Sequence, residues 1–243
     1  EPDARDINLY KTILSGDLDD NDVNSPDNPS VSDAGRAENS YQVVTGSGTD
    51  ETAVLDGFTI TGGNADVFTN RDGGGMLNEY GSPQIINCTF SDNSAQYYGG
   101  GIYNYYGSPT IIDCTFTRNS SGTEGGGIYN YQSDLSLANC TFEENFAHRG
   151  GGIHSGHGKL SLADCTFIGN SAHSGAGIHS YAAIGGRAGE MDEDSQNTPI
   201  LVNCTFTANS AEDKGGGLYS SNSKPSLNNC KFSENSAGYG GAG

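Results

Sequence analysis

The chain has 243 residues, 37 of them glycine and none tryptophan, and a formal net charge of −19. Eleven cations against thirty acids disfavour nucleic acid as a partner, and no run nears the roughly 18 apolar residues that a membrane span requires. A hydrophobic share of 33% at this charge would suit a disordered chain, but the apolar residues recur at a fixed spacing, which disorder does not require.

Residues 1–52 form an acidic N-terminal stretch, expected to start the repeat and to carry a long loop. Thirteen acids and only three cations fall between Glu1 and Asp56. No signal peptide precedes Glu1, so a mature or trimmed form is expected. Within the stretch, Asp17, Asp19 and Asn21 space oxygen ligands at alternate positions, a pattern suited to a hard cation such as calcium. Asp22 adjoins them, and Asp27 is expected to complete the shell. The loop departs from a full EF-hand loop, with Asp22 in place of the sixth-position glycine and Asn28 in place of the closing glutamate. The competing reading is a solvated acidic loop.

Residues 53–243 are expected to continue as regular coils of one domain. A cysteine-free turn opens them at residues 55–65, where Phe58 takes the cysteine's place. Cys88, Cys114, Cys140, Cys165, Cys204 and Cys230 then follow at near-constant intervals, with one longer gap between Cys165 and Cys204. Each sits in one phrase, as in Asn87-Cys-Thr-Phe-Ser-Asp-Asn-Ser-Ala95, and a glycine cluster such as Gly99-Gly-Gly-Ile-Tyr-Asn104 follows. A period of about 26 residues, filled with short apolar alternations, means stacked units that cannot bury their faces alone. Gly, Asn, Ser and Thr fill the period and disfavour helix. The fold expected is all-β, a parallel β-helix solenoid with three short strands per coil.

Stacking turns the repeats into columns. Phe90, Phe116, Phe142, Phe167, Phe206 and Phe232 form an aromatic one, and Ile85, Ile111, Leu137, Leu162, Leu201 and Leu227 an aliphatic one. Asn93, Asn119, Asn145, Asn170, Asn209 and Asn235 each recur at one fixed place after the cysteine. A buried amide is costly unless paired, so these are expected to hydrogen-bond along the axis as a ladder. Asn87, Asp113, Asn139, Asp164, Asn203 and Asn229 mark a corner before each cysteine. The even cysteine count allows disulfides. An in-register column points its side chains the same way, however, which favours buried thiols acting as small hydrophobes.

The strings CTFxxNSA and GGGIYN resemble the repeats of right-handed parallel β-helix proteins of the polymorphic outer membrane protein type. Residues 11–22, 39–44 and 54–65 are similar to the opening of large bacterial surface proteins with this fold. The resemblance implies secretion and an extracellular or cell-surface location, with an adhesive or structural role. Polysaccharide lyases and hydrolases share the pectate lyase-like solenoid, so a carbohydrate-active enzyme is the competing function.

After each glycine strand an aromatic or imidazole is expected to point outward, at Tyr103, Tyr129, His154, His179 and Tyr219. Tyr105, Tyr131 and Tyr181 form a second column just beyond them. Exposed rings stack on the apolar faces of sugars, so these eight residues are the candidate glycan surface, although tyrosine also suits any flat sheet. His148 and His173 share one register and could hold a transition metal. The cations Arg118 and Arg149 fall at different registers, and no paired carboxylates or base with an anion-stabilising partner stand out as a catalytic set.

The longer gap before Cys204 implies an outward loop at residues 182–198, a place where function concentrates. No capping unit is evident around Gly240–Gly243, so either a longer natural protein or ends packed against another copy is expected. Bare solenoid ends are templates for strand pairing, so end-to-end association with other copies of the chain is a further expectation.

Overall fold

The computed structural model describes residues 11–20, 36–66, 71–182 and 198–239. The described residues contain strands and turns and no helix. The strands pair in parallel with their copies one coil above and below, in sheets of eight, seven, seven and seven strands.

Four sheets, not three, wind each coil. The expected strands are the phenylalanine strand (Thr115–Thr117 in one coil), the strand after the glycines (Ile128–Tyr131) and the aliphatic strand (Leu135–Ala138). The fourth follows the asparagine ladder as pieces as short as Ser94–Ala95 and Ser120–Ser121. Two residues hold no apolar alternation, so the sequence pattern does not separate them from a turn.

Corners separate the strands, and most of them sit in the left-handed region. The Asn/Asp corner before each cysteine has φ between +52° and +56° at all six positions. Asn and Asp tolerate this conformation better than other non-glycine residues. On the outside of this corner, Asn87 Nδ2 donates to Asp56 Oδ1 at 3.0 Å and Asn203 Nδ2 to Asp164 Oδ1 at 3.0 Å. Alternating amide and acid therefore puts a donor beside an acceptor where stacked carboxylates would repel.

The first residue of each glycine triplet turns a second corner, as at Gly99 with φ +66°. A Cβ there would lie 2.3 Å from the Ile102 carbonyl oxygen. The third glycine has a different task, because it sits against the core. A Cβ on Gly127 would meet the Gly152 oxygen at 2.6 Å and the Phe142 ring at 3.0 Å.

The interior is a set of continuous columns. Phe90, Phe116, Phe142, Phe167 and Phe206 are fully buried, and successive rings lie 4.7–5.1 Å apart within 5° of parallel. Ile102, Ile128, Ile153 and Ile178 line the wall after the glycines. Burying each such side chain contributes about 1.5–3 kcal/mol.

Polar side chains in this interior are satisfied by their own copies. Asn93 donates to Asn119 Oδ1, Asn119 to Asn145, Asn145 to Asn170, Asn170 to Asn209 and Asn209 to Asn235, each at 2.9–3.0 Å. Each side-chain oxygen also accepts the backbone N–H of the residue one coil before, as from Asn119 N to Asn145 Oδ1 at 3.0 Å. A second inner ladder joins Asn78 to Asn104 and Asn104 to Asn130, both at 2.6 Å, and passes to Ser155 at 3.4 Å. The six cysteines are free thiols, five of them buried. Cys88 and Cys114 each donate to the carbonyl two residues back, at 3.2 Å.

Candidate functional site

The outer face of the sheet after the glycines carries two columns. Leu77, Tyr103, Tyr129, His154, His179 and Tyr219 are aligned one per coil. Glu79, Tyr105, Tyr131, Gly156, Tyr181 and Ser221 are aligned beside them. A third column stands just before the glycine corner. There Tyr98 pairs with Glu124, Glu124 with Arg149, Arg149 with Ser174 and Ser174 with Lys214. Asp72 precedes them, its Oδ1 accepting the Tyr98 N–H at 3.1 Å.

Parallel in-register strands place equivalent side chains about 4.8 Å apart, and that spacing governs the rings. Tyr103 stacks on Tyr129 at 5.3 Å, Tyr129 on His154 at 5.4 Å, and His154 on His179 at 4.9 Å, all within 10° of parallel. Their faces are used against one another. Tyr129, His154 and His179 are only 7%, 1% and 7% exposed, so this column is not the open platform expected from the sequence. Tyr105 and Tyr131 stack at 5.9 Å in the next column.

The exposed rings lie at the end of this strand, at Tyr80 (65%) and Tyr106 (44%). They stack on each other at 5.3 Å, and Tyr105 meets both edge-on. Both occupy the left-handed region, with φ +57° and +54°, a conformation that costs a bulky residue more than it costs Asn.

Between the corner column and the imidazoles lies a cleft of about 440 Å³. Glu124, Arg149 and Ser174 line one side, and His154, His179, Tyr181, Tyr219 and Ser221 the other. Arg149 Nη1 donates to Glu124 Oε1 at 2.7 Å. The second oxygen of Glu124 stands 3.4 Å from His154 Nε2, and the two are not hydrogen-bonded. Tyr181 leans over Gly156, where a Cβ would lie 2.5 Å from its ring, and its centroid is 5.5 Å from that of His154. His157 meets Tyr131 and Tyr181 edge-on.

Both cleft histidines are neutral imidazoles. Burial pushes His154 and His179 down to about 3, and the Arg149 charge adds to the shift. Neither His154 nitrogen, nor Nδ1 of His179, has a hydrogen-bond partner among the described residues. Burial also holds the Tyr129 and Tyr181 phenols well above their usual range. Further along the corner column, burial raises Asp72 to about 6.

The remaining candidates do not converge on this cleft. Asp17 and Asp19 lie in the turn after the strand Thr12–Ser15, where the Asp17 N–H donates to Ser15 Oγ at 3.1 Å. Asn21, Asp22 and Asp27 lie outside the described residues, as do Gly240–Gly243 and residues 183–197 of the expected loop. His148 and His173 stack at 4.7 Å on the short fourth sheet, with His173 Nδ1 3.2 Å from Glu212. Among the described residues no group of three His, Cys, Asp or Glu side chains is placed to hold a metal ion.

Glu124, Ser174 and Ser221 are not among the sequence candidates, and Arg149 enters there only as an isolated cation. The available signal is the residue before each glycine triplet, which changes from coil to coil while its neighbours repeat.

Comparison with known families places these features in context. A family described as "Right handed beta helix region" matches residues 39–185, and the "Chlamydia polymorphic membrane protein (Chlamydia_PMP) repeat" matches residues 203–221. The second stretch holds one full set of features: the Asn203 corner, Cys204, Phe206, Asn209 and the triplet Gly215–Gly217. No curated protein and no solved structure matches the chain.

Proposed function

Because the chain belongs to the right-handed β-helix family, and its repeat points to bacterial outer-surface proteins, we propose that it is a surface β-helix that binds glycans on the sheet after its glycine corners. One observation supports this reading above the others. The cleft at Glu124, Arg149, His154 and His179 gathers unlike polar side chains, whereas the core repeats like residues in columns. An ion-paired carboxylate and guanidinium beside phenols and neutral imidazoles provide donors and acceptors together, which is what sugar hydroxyls require. Tyr80 and Tyr106 extend the same face with exposed rings and hydroxyls, beside the half-buried Tyr105.

The test is retention of the purified chain on immobilised plant, algal and bacterial polysaccharides, beside the variants Arg149→Ala and Tyr106→Ala. Saturable retention weakened by either substitution supports the reading. Absence of retention on every glycan removes it.

A hydrolase is the second reading, and Asp72 favours it. A carboxyl raised to about 6 suits a general acid. Glu124 lies two rungs away in the same column, roughly 9.6 Å by strand spacing, near the upper limit for an inverting pair. Release of reducing ends from a retained polysaccharide, lost in both Asp72→Asn and Glu124→Gln, would establish this reading over simple binding.

A further inference from the structure

We infer that the cleft beside His154 and His179 is a subsite for one uncharged sugar residue, a hexose or N-acetylhexosamine. The inference rests on the glycan reading above and narrows it to one place and one class of ligand. Its basis is a set of buried polar atoms that have no partner among the described residues. His154 is 1% exposed and lines the cleft, with no partner for either ring nitrogen. His179 is 7% exposed, and its Nδ1 has no partner. Buried polar groups in folded proteins are almost always paired, with the chain, with water or with a ligand.

The charge of the cleft selects the class. Glu124 and Arg149 pair at 2.7 Å and balance each other's charge, so the pair gives the cleft no net charge that would favour a uronate or a cation. The groups around His154 are Tyr129 and His179 above and below, Tyr181 across the face, and Glu124 and Arg149 from the corner column. His179 adds Tyr219, over which Lys214 lies at 6.0 Å. A neutral imidazole carries one N–H donor and one bare acceptor nitrogen. Two such rings need a ligand whose groups both donate and accept. Sugar hydroxyls do this, whereas a carboxylate only accepts and a metal ion only takes lone pairs. A volume near 440 Å³ admits a pyranose ring, and a longer glycan would continue along the sheet past Tyr131 and Tyr105.

The experiment titrates the purified chain by calorimetry with neutral methyl hexosides, with the corresponding methyl uronides, and with zinc alone, at pH 8 and pH 5. The variants are Arg149→Ala and Ser221→Trp, which fills the mouth of the cleft from a partly exposed strand end and leaves the core untouched. Unchanged thermal unfolding is the control for folding. A neutral hexoside should bind with Kd on the order of millimolar, about equally at both pH values, and about tenfold more weakly in either variant. Preference for uronides, or affinity that rises sharply at pH 5, would overturn the inference, because it would mean an anion held by protonated imidazoles. Zinc binding lost in His179→Ala but kept in His173→Ala would overturn it in favour of a metal site. Hexoside binding unaffected by Ser221→Trp would also overturn it. Polysaccharide retention that persists in Ser221→Trp and falls in Tyr106→Ala would leave the broader glycan reading standing while this subsite fails. Loss of all glycan binding removes both.

Discussion

The side-chain oxygen of Asn145 accepts two hydrogen bonds from Asn119, one from the backbone N–H and one from the side-chain amide, each at 3.0 Å. Asn145 Nδ2 in turn donates to the Phe116 carbonyl and to Asn170. One amide thus ties three coils together. Asn145→Ala would leave buried donors and acceptors unpaired on both neighbours, at about 1–3 kcal/mol for each group. We expect a total loss of about 3–5 kcal/mol in chemical denaturation, the range of a broken buried network. Asn235→Ala removes a partly buried terminal rung and should cost less, because water can reach the groups it leaves behind. Equal losses at the two positions would show that the ladder does not act through burial.

Gly127→Ala tests the packing of the third glycine. The new methyl would sit 2.6 Å from a backbone oxygen and 3.0 Å from the Phe142 ring, and neither atom belongs to a flexible chain end. Strain of this kind costs about 1–3 kcal/mol or more. At Gly48 a Cβ would meet nothing within 4 Å, so Gly48→Ala is limited to the cost of its φ of +71°. The melting temperature of Gly127→Ala should fall further than that of Gly48→Ala.

The core was legible in the sequence because stacking repeats it. Phe116, Asn119 and Cys114 recur at one spacing, and a column of like residues is what parallel in-register pairing produces. The fourth sheet was not legible, since Ser120–Ser121 has neither apolar alternation nor length. Part of the inner polar lining was hidden as well. Asn104 and Asn130 sit inside the quoted IYN strings, yet their column changes to serine at Ser155, and a count of identical residues passes over it. The candidate site was the least legible part. Glu124, Arg149 and Ser174 share one register but no chemistry, and their convergence on His154 depends on a corner whose angle the sequence does not display. The same geometry explains why outward rings became buried ones: the rung spacing that builds the core also stacks Tyr129 on His154.

The thiols give a third prediction. Cys88, Cys114, Cys140, Cys165 and Cys204 are buried and unbridged, and Cys230 is half-buried at the end of the column. A reductant should leave the melting temperature unchanged, and a thiol reagent should modify Cys230 first and the others only on unfolding. A drop in melting temperature on reduction would mean that bridges form between coils.

Acid sensitivity should come from the imidazoles of the cleft. Burial lowers His154 and His179 to about 3, whereas an unfolded histidine titrates near 6.5. Between these values the unfolded chain binds more protons than the folded one, so stability falls as pH falls. Their contribution is complete above about pH 6.5 and is lost progressively down to about pH 3. For each imidazole this amounts to about 5 kcal/mol at most. Asp72 acts in the opposite sense. Its carboxyl is raised to about 6, so the folded state takes up a proton first, and acidification from pH 7 toward 4 relieves its burial. Lowering the net charge of −19 also relieves self-repulsion in the same range. The histidine effect must therefore be read as a difference between proteins. His154→Phe keeps a flat ring between Tyr129 and His179 and removes one titrating group. Its stability relative to the parent should rise steadily as pH is lowered from 6.5 to 4, as followed by denaturant midpoints at each pH. Parallel pH profiles for the two proteins would show that folding does not lower the pKa of His154, and the neutral character assigned to the cleft in mild acid would fall with it.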